Sequence, residues 1–144
     1  MSKGFYNVPI AINEPVKEYR KESKERAEVL SEYKKMYNTK IDIPMYIGEK
    51  KIYTDNKRNL FPPHEHKHII GTSNYGGKKE VEEAINEAMK AHEKWKKMNW
   101  EDRASIFLKA ADLLAGPYRA RLNAATMLAQ SKNVYQAEID AACE

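Results

Sequence analysis

The chain has 144 residues, 42% of them hydrophobic and 10% aromatic, which is enough apolar material for one ordinary globular core. A charged fraction of 32%, with no apolar run near the roughly 20 residues that cross a bilayer, excludes a membrane-spanning class. The 25 basic and 21 acidic residues leave a net charge of +4, but they are interleaved along the chain, and this argues against nucleic acid as a partner.

The first seven residues, Met1 to Asn7, have neither the apolar core and small-residue cleavage site of a secretory signal nor the Arg-rich character of a transit peptide. The single cysteine, Cys143, cannot close an intramolecular disulfide and suits a reducing compartment, so the cytosol is the expected location.

Residues 1–12 lack periodicity and contain Pro9, and they are expected to form an extended arm lying against something else. From Ser23 to about Tyr37, the residues Ala27, Leu30, Tyr33 and Tyr37 recur at helical spacing, with Ser23 placed to cap the first turn. The stripe is narrow and predicts a surface helix. Between Ile41 and Tyr75 the apolar runs shorten, and Pro44–Ile47, Lys51–Thr54 and His68–Thr72 read as strands. Gly48-Glu49-Lys50 reads as the tight turn of an antiparallel hairpin, and Asp55–Asn59 and Phe61–Pro63 as punctuation before the last strand.

From Gly76-Gly77 onward the pattern is helical, with Val81, Ala84, Ile85, Ala88, His92 and Trp95 on one face and Trp95 expected in the core. The basic stretch Lys94, Lys96 and Lys97, beside Glu93 and Glu101, reads as a solvated helix face. Asn99 is placed to cap a second helix that turns Ala104, Phe107, Leu108, Ala111 and Leu114 inward and stops at Gly116-Pro117. A third carries Leu122, Ala125, Leu128 and Ala129, and a fourth opens at Asn133, where Gln136 completes a capping-box pattern. Ala137, Ile139, Ala141, Ala142 and Cys143 continue it, and the sequence stops at Glu144 without the glycine, basic turn or proline that ends a helix. A chain truncated inside a helix is therefore expected. The fold class is mainly α with a small β-hairpin and short strands, free of repeats and low-complexity tracts.

Candidate chemistry is sparse. His64, His66 and His68 alternate along the chain and would share one face of a strand, but no fourth ligand stands at a zinc-site spacing, and a polar loop is the expected state. Cys143 lies between Asp140 and Glu144, whose charges disfavour a thiolate, so it reads as a small buried hydrophobe rather than a nucleophile. Gly76-Gly77-Lys78-Lys79 opens a helix without the spacing of a P-loop or dinucleotide fingerprint and reads as a flexible connector. The acids Glu82-Glu83 and Glu138 with Asp140 stand at ordinary helical spacings.

Two stretches carry a family resemblance. Phe61-Pro62-Pro63-His64-Glu65-His66-Lys67-His68, and the run from Asn99 to Glu144 with Leu122-Asn123-Ala124-Ala125-Thr126-Met127-Leu128 and Gln136-Ala137-Glu138-Ile139-Asp140-Ala141-Ala142-Cys143-Glu144, resemble the delta-1-pyrroline-5-carboxylate dehydrogenase branch of the aldehyde dehydrogenase superfamily. The chain departs from that pattern at Glu49, where a second turn glycine is expected, and at Arg20-Lys21, where a proline-glycine break is expected.

The resemblance implies the N-terminal portion of an α/β aldehyde dehydrogenase fold, with residues 1–40 as an arm and surface helix and 41–144 as an incomplete N-terminal part of the NAD-binding domain. It implies an enzyme, homo-oligomeric at full length, that oxidises the small molecule L-glutamate 5-semialdehyde to L-glutamate in proline breakdown, with NAD as hydride acceptor. It also raises the mitochondrial matrix as an alternative location. The family's catalytic thiol, general base and cofactor loops lie beyond Glu144, so no catalytic or cofactor-binding residue is assigned. Glu138 and Glu144 are the candidates for lining the substrate tunnel, with a solvated helix face as the competing reading. A complete small helical interaction module is the alternative function, and metal binding through His64, His66 and His68 is a third.

Overall fold

The computed structural model describes residues 10–143. Most of the arm expected over residues 1–12, and Glu144, lie outside the described residues; Ile10 and Ile12 at the arm's end are exposed.

The helix α1 (Lys24–Asn38) starts where Ser23 predicts, the Ser23 hydroxyl accepting from the Arg26 amide at 3.3 Å. It packs on α4 (Arg119–Gln130), and Tyr19, Val29 and Ala124 form the core between them, with Tyr33, Met36, Ala120, Met127 and Val134 around it. The buried stripe of α1 runs through Val29 rather than Leu30, which is exposed.

Two small sheets follow. The hairpin of β2 (Met45–Ile47) and β3 (Lys50–Ile52) is antiparallel as expected, turning at Gly48, whose φ of 58° favours glycine. The second sheet has the order β1-β5-β4, built from β1 (Ile41–Ile43), β4 (Lys57–Leu60) and β5 (Gly71–Asn74). β1 runs parallel to β5, and β4 runs antiparallel to it.

Both outer strands escaped the sequence pattern. β4 is Lys-Arg-Asn-Leu, with no apolar alternation, and becomes a strand because its backbone pairs with β5 from Lys57↔Asn74 to Leu60↔Gly71. The last strand starts at Gly71, not His68, because the His68 amide is committed to a turn, donating to the Glu65 carbonyl at 3.0 Å, while its ring stacks on Tyr37 at 3.9 Å. Gly71 itself is held to glycine by close approach: a Cβ there would stand 2.3 Å from the Ile41 carbonyl oxygen.

α2 (Lys78–Trp95) begins at Gly77, which caps rather than flexes: its amide donates to Glu80 Oε2 at 2.7 Å. α3 (Trp100–Ala115) opens after Asn99, whose side chain makes no cap bond, and ends at Gly116 as expected. Neither helix has a buried residue. Trp95 is 37% exposed, Phe107 67% and Leu108 46%, contrary to the core role that their spacing suggests, because among the described residues no element covers that face.

α4 buries Arg119, Asn123, Ala124 and Leu128, a face rotated from the expected Leu122, Ala125, Leu128 and Ala129. α5 (Val134–Glu138) carries the expected capping box, with Gln136 N–H donating to Asn133 Oδ1 at 2.9 Å and Asn133 N–H to Gln136 Oε1 at 3.1 Å. A π-helical turn, Ile139–Cys143, completes the described chain. Among the described residues no helix is long and apolar enough to cross a membrane.

Candidate functional site

The rotation of α4 has a physical cause at the last turn of α5. Glu138 is fully buried, and a carboxylate taken out of water needs donors on both oxygens. It finds them. Oε1 accepts from the Lys17 amide at 2.9 Å and Arg119 Nε at 3.1 Å; Oε2 accepts from the Tyr19 hydroxyl at 2.6 Å and Asn123 Nδ2 at 2.7 Å. Arg119 Nη2 also donates to Oε1. Arg119 and Asn123 stand four apart on α4, so one helical face presents both.

Arg119 reaches further. Its Nη1 pairs with Glu14, its Nη2 donates to the Pro15 carbonyl at 2.6 Å, and the same nitrogen lies 3.9 Å from Cys143 Sγ. Asn123 Nδ2 also donates to the Tyr19 hydroxyl at 2.7 Å, closing a three-membered polar ring with Glu138.

These contacts fix the protonation states. Burial opposes the charge on Glu138, but the bonds from Arg119 first, then Tyr19, the Lys17 amide and Asn123, outweigh it and hold the carboxyl at about 2. Burial, followed by the neighbouring Glu138 carboxylate, drives the Tyr19 phenol far above its ordinary range, so it stays a donor. The bond to Glu138 foremost keeps Arg119 charged against its own burial. The result is a locked ion pair, with every proton committed to holding the chain together.

The other residues singled out by sequence do not converge. Glu138 is enclosed rather than solvated, and Glu144 lies outside the described residues. Cys143 is half-buried, not buried, and its Sγ lies 3.9 Å from cationic Arg119 Nη2. His64 Nδ1 lies 2.7 Å from Ser131 Oγ, His66 packs near the Phe61 ring at 5.4 Å, and His68 Nε2 meets the Tyr37 carbonyl at 2.8 Å, so the three rings go to three neighbours. Among the described residues no group of His, Cys, Asp and Glu is placed to hold a metal.

Nor do these residues suit a dinucleotide. The glycine-opened N-terminus of α2 spends its amide on Glu80, and the start of α4 holds Arg119 turned inward to Glu138. Sequence reasoning passed over Arg119, Asn123 and Tyr19. Spacing alone puts Arg119 and Asn123, a polar pair at i, i+4, on the outer face of α4, so no local signal marked them.

Residues 53–143 match the model of the aldehyde dehydrogenase family. Over 140 residues, 96% of this chain, 41% are identical to delta-1-pyrroline-5-carboxylate dehydrogenase of Agaricus bisporus, of which they span 26%. The mitochondrial delta-1-pyrroline-5-carboxylate dehydrogenase of Danio rerio is 40% identical over 99% of this chain and 26% of its own length. The crystal structure of delta-pyrroline-5-carboxylate dehydrogenase from Mycobacterium tuberculosis superimposes on all of this chain with a TM-score of 0.96 and 40% identity, across 27% of that enzyme. The same enzyme has been solved bound with NAD. The chain thus spans about a quarter of the length of the relatives it matches.

Proposed function

This chain belongs to the aldehyde dehydrogenase family, and on that premise we propose that it works as the N-terminal quarter of an NAD-dependent enzyme that oxidises L-glutamate 5-semialdehyde to L-glutamate in proline breakdown. The observation that carries the proposal is the superposition of the entire chain, without remainder, on about a quarter of one such enzyme at a TM-score of 0.96. Residues 41–144 are assigned to the nicotinamide-binding domain as an incomplete part of it, and residues 1–40 to its arm and surface helix. NAD, when bound, accepts the hydride; the residues present hold the scaffold and supply neither the hydride site nor the attacking thiol.

The uncovered face of α2 and α3 supports this reading, since Phe107, Leu108 and Ile85 are apolar and exposed where a larger protein would bury them. Glu138 and Glu144 are proposed for the wall of the substrate entrance. For Glu138, whose carboxylate is consumed by Arg119, Tyr19 and Asn123, that role is to hold the wall in place. A homo-oligomer at full length belongs to the same proposal, as does the cytosol, which rests on the lone cysteine; the naming of the Danio rerio relative as mitochondrial favours the mitochondrion instead.

The test is the intact mass of the native gene product from its source cells, together with semialdehyde-dependent NADH formation by that product. A mass several times 16.7 kDa with activity supports the proposal. A native mass of 16.7 kDa without activity overturns it in favour of a small interaction module.

A further inference from the structure

Tyr19 has a φ of 51°, a left-handed backbone that a bulky aromatic residue adopts only where its surroundings impose it. In this conformation the Tyr19 hydroxyl donates to Glu138 and accepts from Asn123 Nδ2. The residues just before Tyr19 are engaged in the same way. The Lys17 amide bonds Glu138, while Glu14 and the Pro15 carbonyl take the outer nitrogens of Arg119. Residues 14–19 have no helix or strand of their own, and besides the packing of the Tyr19 ring in the core and the bond from Arg26 to the Tyr19 carbonyl they are held by this buried pair.

The other side of the pair is equally specific. Immediately after Glu138 the helix widens into the π turn Ile139–Cys143. Such turns are rare and concentrate at functional sites. This one is tethered before its first residue by Glu138, within it by the pairing of Asp140 with Lys132, and at its end by the approach of Cys143 Sγ to Arg119. Cohesion alone needs neither a strained Tyr19 nor a buried charge, since apolar side chains of the same volume would pack as well.

We propose that residues 14–19 act as a strap that, through Arg119 and Glu138, sets the geometry of the π turn, which makes Glu14, Tyr19 and Arg119 positioning residues for the wall of the substrate entrance. This rests on the reading of the final segment as that wall. The strap fixes the register at which the turn leaves α5, and with it the direction of the side chains within Ile139–Cys143.

The experiment uses the full-length gene product carrying Glu14→Ala or Tyr19→Phe, with Arg119→Lys as a third variant. Glu14 is half-buried at the end of the strap, and Tyr19→Phe removes a single hydroxyl while keeping the ring that packs in the α1–α4 core, so these are the milder changes. Amide hydrogen exchange is followed over residues 134–143, with α2 and the β2–β3 hairpin as internal references. Alongside it, KM for the semialdehyde, KM for NAD and kcat are measured. We expect exchange at 139–143 to quicken about tenfold, the scale of one lost buried hydrogen bond, with the references unchanged, the semialdehyde KM raised several-fold, and kcat and the NAD KM unmoved. Unchanged exchange at 139–143 in both milder variants overturns the strap, and quickened exchange with an unchanged semialdehyde KM overturns its positioning role. A wild-type product that oxidises no semialdehyde overturns the functional reading instead, and the exchange data still decide whether the strap controls the turn.

Discussion

Arg119 donates through Nε to both oxygens of Glu138, at 3.1 and 3.2 Å, with their side chains 4% and 0% exposed. This pair ties three parts of the chain together, because Arg119 is on α4, Glu138 ends α5, and both bind the strap at residues 14–19. Removing one partner leaves the other's charge buried without its main counter-ion. Arg119→Met or Glu138→Leu should therefore lower the unfolding free energy by about 3–5 kcal/mol. The double variant should recover most of that loss, since two apolar side chains can share the site. Urea unfolding of the four proteins measures both effects; equal losses in single and double variants would show that packing, not charge, holds the junction.

The same pair makes stability depend on acid. Glu138 is held at about 2 in the folded chain against an ordinary 4.5. A group with a depressed folded value contributes stability that is complete above its unfolded value and lost as pH falls toward the folded one. Wild-type stability should accordingly decline from about pH 5 down to about pH 2, and the decline should be shallower in Glu138→Gln. Parallel pH profiles for the two would assign the acid sensitivity to other carboxylates.

Gly71 sets a different kind of limit. Its missing side chain lets β5 approach β1 so closely that a Cβ would meet Ile41 O at 2.3 Å and Ile41 Cγ1 at 2.8 Å. The obstacle is backbone, which cannot swing aside, so Gly71→Ala should cost about 2 kcal/mol or more. It should also separate the parallel pair Ile41↔Gly71, seen as faster amide exchange in β1 with β2–β3 unaffected. Gly77→Ala should do little, because its nearest neighbour, Glu80 Oε2 at 3.5 Å, is at ordinary contact distance. Similar losses at the two glycines would argue against the close-approach explanation.

Helices and caps were legible in the sequence wherever the determinant is local. Ser23, Gly116 and the Asn133–Gln136 box mark helix ends through contacts three or four residues away, and each stands where expected. β4 and the inward face of α4 were not legible, because their determinants lie far along the chain. Lys57–Leu60 is a strand by virtue of β5, and Arg119 and Asn123 turn inward to meet Glu138, which is 19 and 15 residues away. Periodicity counts Arg119 and Asn123 as polar and assigns them to the outside. Only knowledge of the acid that they face reverses that assignment.

Trp95 and Phe107 were expected inside, and their rings do meet edge to face at 6.5 Å, yet both remain substantially exposed. With Val81, Ile85, Met89 and Leu108 they line surfaces of α2 and α3 that no other element covers among the described residues. Apolar area of this extent is in contact with water only at a free-energy cost of about 25 cal/mol per Å², so the 144-residue chain alone should relieve it by self-association. Sedimentation velocity should show a weight-average mass that rises with concentration, and Phe107→Asp with Ile85→Asp should return it toward 16.7 kDa. Thermal stability of the monomer should be unchanged by these substitutions, because neither side chain contributes to the α1–α4 core. A wild-type chain that stays monomeric at all concentrations would mean that the face is covered by some rearrangement of α2 and α3 themselves. The proposal that a larger protein buries that face would then lose this line of support.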